Sequence, residues 1–286
     1  MSRPPYVLMM PDRRDTATMF ASPHSGRDYP WGFIRNSQLD EQTIRSSEDA
    51  FVDLLFESAP DFGSPLLTTV IPRAYVDLNR HADELDPALI VGSKTGLNNP
   101  RVMAGLGVIP RVVANGKAIR RGKIDMSEAR RRLDGFYHPY HRVLGRLMDE
   151  SRAEFGFALL FDCHSMPHDA LASTSFAHDK KPEIVLGDRF GAACVSDIVD
   201  AAEAEFTAAG LRVARNLPFA GAHVAQRYGR PADGHHAIQI EIDRSVYMDE
   251  AALEPNANFE PFRRKMRSIV GKLAELGRGE VRLAAE

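Results

Sequence analysis

Short, continuous apolar runs alternate along this chain with longer stretches whose apolar residues recur at helical spacing. Runs of the first kind predict strands buried on both faces. Residues 157–161, FALLF, are the clearest such run, and residues 18–22, 66–71, 182–188 and 211–214 read the same way. Residues 237–244 alternate strictly, with Ala237, Gln239, Glu241 and Asp243 on one face and Ile238, Ile240, Ile242 and Arg244 on the other. The same alternation over residues 73–80 predicts a further strand, and Val108 to Val113 reads as an edge strand because Pro110 cannot donate to a ladder. Helical spacing covers residues 46–59, 127–155, 192–209 and 258–277. Ser127 is the expected cap of the second helix, Pro139 its expected kink, and Gly210 the expected stop of the third. Residues 1–19 read as a loose lead-in. The Gly/Pro/Asn-rich stretch 81–125 reads as an excursion that covers a site rather than a separate domain. Strands alternating with helices indicate an α/β architecture.

Polar residues interrupt this pattern at informative places. The run 157–161 stops at Asp162-Cys163-His164-Ser165, at the strand end where open α/β sheets place their sites. Asp162 and His164 are two apart, so on an extended chain they point the same way, and one can hold a ligand while the other supports it. The plainer alternative makes Asp162 a turn cap and His164 a surface residue. A second apolar run ends at Pro23-His24-Ser25-Gly26, and zinc is commonly held by histidines from separate strand ends plus a carboxylate. Glu48 and Asp49 supply acids at the start of a predicted helix, where they serve the cap and the dipole or provide that carboxylate. Asn79 and Arg80 suit a carboxylate substrate, since arginine offers a planar fork and the amide adds a donor. The plainer reading there is an ion pair of Asp77 with an arginine. Glu241 lies inside an apolar strand. Unless it is paired with Arg244, Arg73 or Arg80, its pKa rises, which suits general acid–base work. His138 and His141 are three apart beside Pro139 and read as structural.

Composition narrows the field. The 286 residues are 44% apolar and 26% charged, which is enough to bury a sizeable core. A net charge of -3 and the lack of a long basic stripe argue against a nucleic-acid binder. The cluster Arg130-Arg131-Arg132 belongs on a solvated helix face. Two cysteines, Cys163 and Cys194, make no disulfide framework and fit a cytoplasmic setting. No stretch has the length of a membrane span, and the N-terminus lacks a signal-peptide core. Phosphoryl transfer finds no Gly-x-x-x-x-Gly-Lys loop.

Taken in order, the polar pieces resemble the N-formylglutamate amidohydrolase family. The matching pieces are Ser22-Pro23-His24-Ser25-Gly26 with Pro30, Asp49, Arg73 with Val76-Asp77-Leu78-Asn79-Arg80, Asp162-Cys163-His164-Ser165, and Tyr228-Gly229-Arg230-Pro231 through Glu241-Ile242-Asp243-Arg244-Ser245. They span about residues 20 to 250. That family is similar to zinc-dependent exopeptidases and aspartoacylases. The resemblance implies one domain over residues 1–286, with a mixed twisted β-sheet flanked by helices in the hydrolase-like, zinc-exopeptidase-like manner. It implies zinc or another divalent metal on His24, Asp49 (favoured over Glu48) and His164, with Asp162 orienting His164 or a neighbour. The carboxypeptidase His-x-x-Glu spacing is missing, because Arg27 stands at the fourth position. Glu241 would be the general base and Arg73 the oxyanion partner. Asn79 and Arg80, with Arg244 as a further candidate, would hold a substrate carboxylate. The implied reaction hydrolyses a small N-acyl amino acid, N-formyl-L-glutamate first. The alternatives are another N-acyl amino acid, a short peptide, or a non-catalytic binder of anionic metabolites. His223, just after Gly221-Ala222, has no role in this scheme but falls within a matching region.

Overall fold

The computed structural model describes residues 4–93, 99–172 and 181–278. Its frame is a seven-stranded mixed sheet. In chain order the strands are β1 (Tyr6–Met9), β2 (Thr18–Ser22), β3 (Leu66–Thr69), β4 (Ala158–Met166), β5 (Ile184–Gly187), β6 (Val213–Arg215) and β7 (His235–Asp243). Their order across the sheet is β1-β3-β2-β4-β7-β5-β6. The four central strands β3, β2, β4 and β7 run parallel, while β1 and the β5–β6 pair run against them. The expected mixed α/β sheet is therefore present, and the run 157–161 lies in its centre. Residues 1–19, expected as a lead-in, instead supply the edge strand β1, whose Val7 and Leu8 pair with Thr68 and Leu67.

Two cores fill the two faces. Phe20, Phe161, Ile238, Ile240 and Ile242 pack under the helices Ser196–Ala208 and Phe259–Glu275. Met19, Ala21, Leu160 and Ala237 pack under the helix His138–Phe155 through Tyr140, Leu144 and Leu147. Alternation explains the split, because successive residues of a strand face opposite ways. On the second face β4 and β7 begin apolar and turn polar together. Leu160 is followed by Asp162 and His164, and Ala237 by Gln239 and Glu241. The register sets Asp162 beside Gln239 and His164 beside Glu241.

Several local expectations give way to tertiary contacts. In place of a helix over 46–59 there is a short turn of helix, Glu41–Arg45, capped by Asp40, and another, Val52–Leu55. Between them the chain is irregular and Phe51 is left-handed at φ 65°. The Asp49 amide donates to His24 O at 3.1 Å, a contact that a continuing helix could not make. Residues 73–80 are not a strand. Pro72 O accepts from the amides of Tyr75 and Val76, and Asp77 Oδ1 accepts from Asn79 N at 2.8 Å, so side chain and turn bonds fix the path. Among the described residues, 108–113 make only one bridge, Val112 with Ala118. The long helical stretch starts at Met126 after Asp125 rather than at a Ser127 cap. A π turn at Leu133–Tyr137 precedes Pro139, whose missing N–H removes a helical bond at that point. Gly210 ends the third helix in the left-handed region, as expected, at φ 77°. No helix among the described residues is long and apolar enough to cross a membrane.

Candidate active site

The parallel strands β2 and β4 deliver two histidines to one point. His24 follows β2, and its turn needs Gly26, where a Cβ would stand 2.2 Å from Ile71 O. His164 comes from the polar end of β4. Their Nδ1 atoms lie 3.1 Å apart. Asp49 Oδ2 lies 3.0 Å from His164 Nδ1 and 3.3 Å from His24 Nδ1. All three residues are buried. Glu48 turns away, with Oε1 accepting from the Tyr29 hydroxyl at 2.6 Å and from Arg45 Nε at 3.1 Å.

A carboxylate stands behind each ring. Asp77 Oδ1 is 2.7 Å from His24 Nε2, and Asp162 Oδ2 is 2.9 Å from His164 Nε2. These acids favour the proton on each Nε2, which leaves both Nδ1 lone pairs and the Asp49 oxygen converging on one buried point. Metal-bound histidines characteristically show this arrangement. A tetrahedral ion about 2.0 Å from its ligands separates them by about 3.3 Å, close to the three distances above. The residues therefore fit a divalent metal of the zinc type. Without a cation, burial penalises the His164 imidazolium, yet Asp162 and Asp49 hold its pKa well above the usual value. Burial likewise opposes the charged forms of Asp49 and Asp77, but the histidines around Asp49, and His24 with Arg73 around Asp77, hold both well below the carboxylate range.

Glu241 enters the same cleft from β7. The cleft measures about 600 Å³, and its walls include His24, Asp49, His164, Glu241, Arg73, Arg80 and Arg244. Burial pushes Glu241 up to about 7. Its expected salt-bridge alternative is not realised among the described residues. Instead, Oε1 accepts from Gln239 Nε2 at 2.8 Å, and Gln239 is itself fixed by accepting from Ala222 N at 2.9 Å.

The remaining candidates divide by what they touch. Arg73 donates to Asp77 Oδ2 at 3.0 Å and lies 3.9 Å from Asp49. The ion pair expected for Asp77 is thus real, and Asp77 holds His24 as well. Arg244 donates to Asp49 Oδ1 at 3.0 Å and to Ser165 Oγ at 3.1 Å. Arg80 reaches Leu106 O and Asn79 O through Nε and Nη1. The Asn79 amide lies behind His164. Its Oδ1 accepts from Val224 N at 2.7 Å, and its Nδ2 lies 3.1 Å from His164 Nε2 and 3.4 Å from Asp162. Asp162 neither caps a turn nor reaches the surface. Asp77 as the partner of His24, Gln239 as the partner of Glu241 and Tyr137 under Arg80 were not singled out from sequence. For Gln239 a signal was present, since it shares a face with Glu241.

A family model for N-formylglutamate amidohydrolase matches residues 16–248. The chain belongs to the N-formylglutamate amidohydrolase family. The matched stretch runs from before His24 to beyond Arg244, so it contains the whole site of this amidohydrolase-family chain. An N-formylglutamate deformylase from Pseudomonas putida is 30% identical over 241 residues, covering 81% of this chain and 82% of that protein. Its counterpart from Pseudomonas aeruginosa PAO1 is 30% identical over 244 residues, covering 83% and 84%. The crystal structure of an N-formylglutamate amidohydrolase from Ralstonia eutropha JMP134 superposes with a TM-score of 0.89 at 33% identity, over 96% of this chain and 98% of that one.

Proposed function

We propose that the protein is a metal-dependent deformylase that hydrolyses N-formyl-L-glutamate to formate and L-glutamate. The observation that carries this reading is the convergence of His24, Asp49 and His164 donor atoms in the cleft that also holds Glu241, in a member of this family. Zinc, or another divalent ion on those three residues, would lower the pKa of a bound water and polarise the formyl carbonyl. Glu241 takes a proton from the attacking water and passes it to the leaving amine, which departs as the C–N bond breaks. Gln239 aims its carboxylate through the Oε1 bond. Arg73 offers positive charge to the developing oxyanion. Arg80 holds a substrate carboxylate. Arg244 bonds Asp49, and the Asn79 amide is committed behind His164, so both act here as positioning residues. Both cysteines are buried free thiols, consistent with a reducing cytoplasm.

Formate release by metal-loaded protein tests this reading, with bound metal measured alongside. Glu241→Gln should keep the metal and lose about 100- to 10,000-fold in kcat. Stoichiometric metal without formate release would move the substrate to another N-acyl amino acid or a short peptide. Neither metal nor release would leave an anion binder and overturn the hydrolase.

A further inference from the structure

Beside the metal cleft lies a second cavity of about 730 Å³. The two share Arg80, Arg101, Gly221 and Ala222, so Arg80 stands at the neck between them. Among the described residues, Arg189, Arg227, His81 and His223 also line the second cavity, against a single carboxylate, Glu84. Arg80 is buried and Arg189 half-buried, whereas Arg101 and Arg227 are exposed to solvent. Other arginines that leave the surface are paired, as Arg73 is with Asp77, Arg111 with Asp86 and Arg244 with Asp49. Among the described residues no carboxylate forms an ion pair with Arg80, Arg101, Arg189 or Arg227. The concentrated positive charge is felt by His223, which burial first and then His81 and Arg227 push down to about 4.

One of these arginines is held in place at a conformational cost. Arg189 and Phe190 both have φ 56°, and Gly191 follows at φ 87°. L residues rarely adopt that backbone, and it persists only where its surroundings over-determine it. Here Ala220 O accepts from Arg189 N at 2.7 Å, Asn216 Oδ1 from Phe190 N at 3.3 Å and Asp188 Oδ2 from Gly191 N at 3.0 Å. Asp188 and Asn216 are themselves joined at 2.6 Å. The result aims Arg189 at the cavity wall, where Nη1 meets Gly221 O at 3.4 Å.

We propose that this arginine-lined cavity takes the second residue of an N-acylated acidic dipeptide, whose first residue is anchored at Arg80. The inference rests on the hydrolase reading above. Its volume lies in the range of sites that enclose drug-sized ligands, well beyond what one side-chain carboxylate fills. Guanidinium forks match carboxylates in paired hydrogen bonds, and here, among the described residues, their partners are backbone carbonyls and tyrosines rather than carboxylates. The chemistry is unchanged. Water adds to the acyl carbonyl, the C–N bond to the dipeptide breaks, and the acid and the free dipeptide amine leave.

The test compares formate release from N-formyl-glutamate and N-formyl-glutamyl-glutamate, using wild type, Arg189→Asn, Arg227→Gln and the double variant. Asparagine tolerates the left-handed backbone at position 189. The ratio of kcat/KM, dipeptide over single residue, should exceed about 10 in wild type and fall about 10-fold for each arginine, the loss expected for a charged hydrogen bond. A ratio below one, or one that the variants leave in place, overturns the proposal. Inorganic phosphate that binds the wild type, is lost in the double variant and does not compete against the dipeptide reassigns the cavity to a separate anion and also overturns it. If neither substrate releases formate, calorimetry with glutamyl-glutamate and glutamate decides. Dipeptide binding about 10-fold tighter than glutamate, and lost in the double variant, upholds the cavity while the hydrolase fails. Equal binding rejects the cavity as well.

Discussion

Two groups of histidines touch the segment Asp77–His81, and their surroundings push them in opposite directions. His24 and His164 each have a carboxylate on the remote ring nitrogen and share Asp49 on the near one. His141 and His223 have none among the described residues. His141 meets Tyr228 Oη and Leu78 O, each at 2.9 Å, and His223 meets Tyr137 Oη at 3.1 Å. Burial acts on both groups. In the first, Asp162 and Asp49 overcome it and favour positive charge at His164. In the second, burial prevails, with Arg227 adding to it, and His141 falls to about 3. What stands behind the ring decides whether a buried histidine gathers a cation or stays a neutral strut.

Removing the shared acid gives the largest expected effect. Asp49→Asn should leave two imidazoles and Arg244 without their common anion. Metal content should fall below one per chain, and formate release should drop to background. Metal analysis after dialysis checks this. Stoichiometric metal in that variant would mean that the first group does not gather a cation through Asp49.

Acid should discriminate the groups next. His141 is neutral in the fold down to about pH 3, whereas in the unfolded chain it protonates near 6.5. Between those values the unfolded state binds more protons, so stability falls as pH falls. The loss from this residue amounts to about 3 kcal/mol by pH 4. Asp49 and Asp77 have the opposite history. Both are held below the unfolded value of 3.8, so their contribution is intact above that value and is lost only in stronger acid. Urea unfolding from pH 7 to 4 should therefore show a slope that His141→Gln makes shallower. An identical slope in the variant would remove His141 from the neutral group.

A subtler change sharpens the contrast in metal affinity. Asp162→Asn keeps the shape behind His164 but withdraws the charge, so affinity should weaken about 10- to 100-fold. Tyr228→Phe, the equivalent change behind His141, should leave affinity where it was. Parallel metal titrations compare them, and equal losses would erase the distinction between carboxylate and hydroxyl backing.

The sequence made the sheet legible where period and burial agree. The runs at 18–22 and 157–161 lie in strands, and the alternation holds over 237–243 and correctly set Gln239 and Glu241 on one face, whereas Arg244, expected with the isoleucines, opens a 3-10 turn and reaches Asp49 in the cleft. Asp162 and His164, two apart on β4, do point the same way. It failed where one tertiary contact outweighs local preference. Glu48 and Asp49 looked like a helix start, but Asp49 leaves helical geometry to reach His24 and Arg244. Residues 73–80 alternate like a strand, yet Asp77 folds back on Asn79. The pairing of Asp77 with His24 joins residues 53 apart in the chain, and no local spacing announces it. His138 and His141 looked alike from sequence. In the fold His141 is buried, whereas the His138 side chain is 44% exposed.

The smallest expected effect asks whether the neutral group serves the reaction at all. Its polar atoms reach backbone that carries the cleft. His141 donates Nε2–H to Leu78 O, and the Tyr137 hydroxyl donates to Arg80 O at 2.9 Å. Between those carbonyls lies Asn79, whose amide bonds Asp162 and Val224 N. The neutral residues thus hold from behind the loop that presents Arg80 to the cleft. Tyr137→Phe removes one such bond without touching the metal ligands. Losing about 1 kcal/mol of loop order should raise KM for N-formyl-L-glutamate about fivefold while kcat and metal content hold. The split between KM and kcat is the deciding readout. A fall in kcat with KM unchanged would show that the neutral group acts on the reacting centre rather than through the position of Arg80. The two histidine groups would then be one machine, and the opposite directions of their charge would reflect division of labour within it.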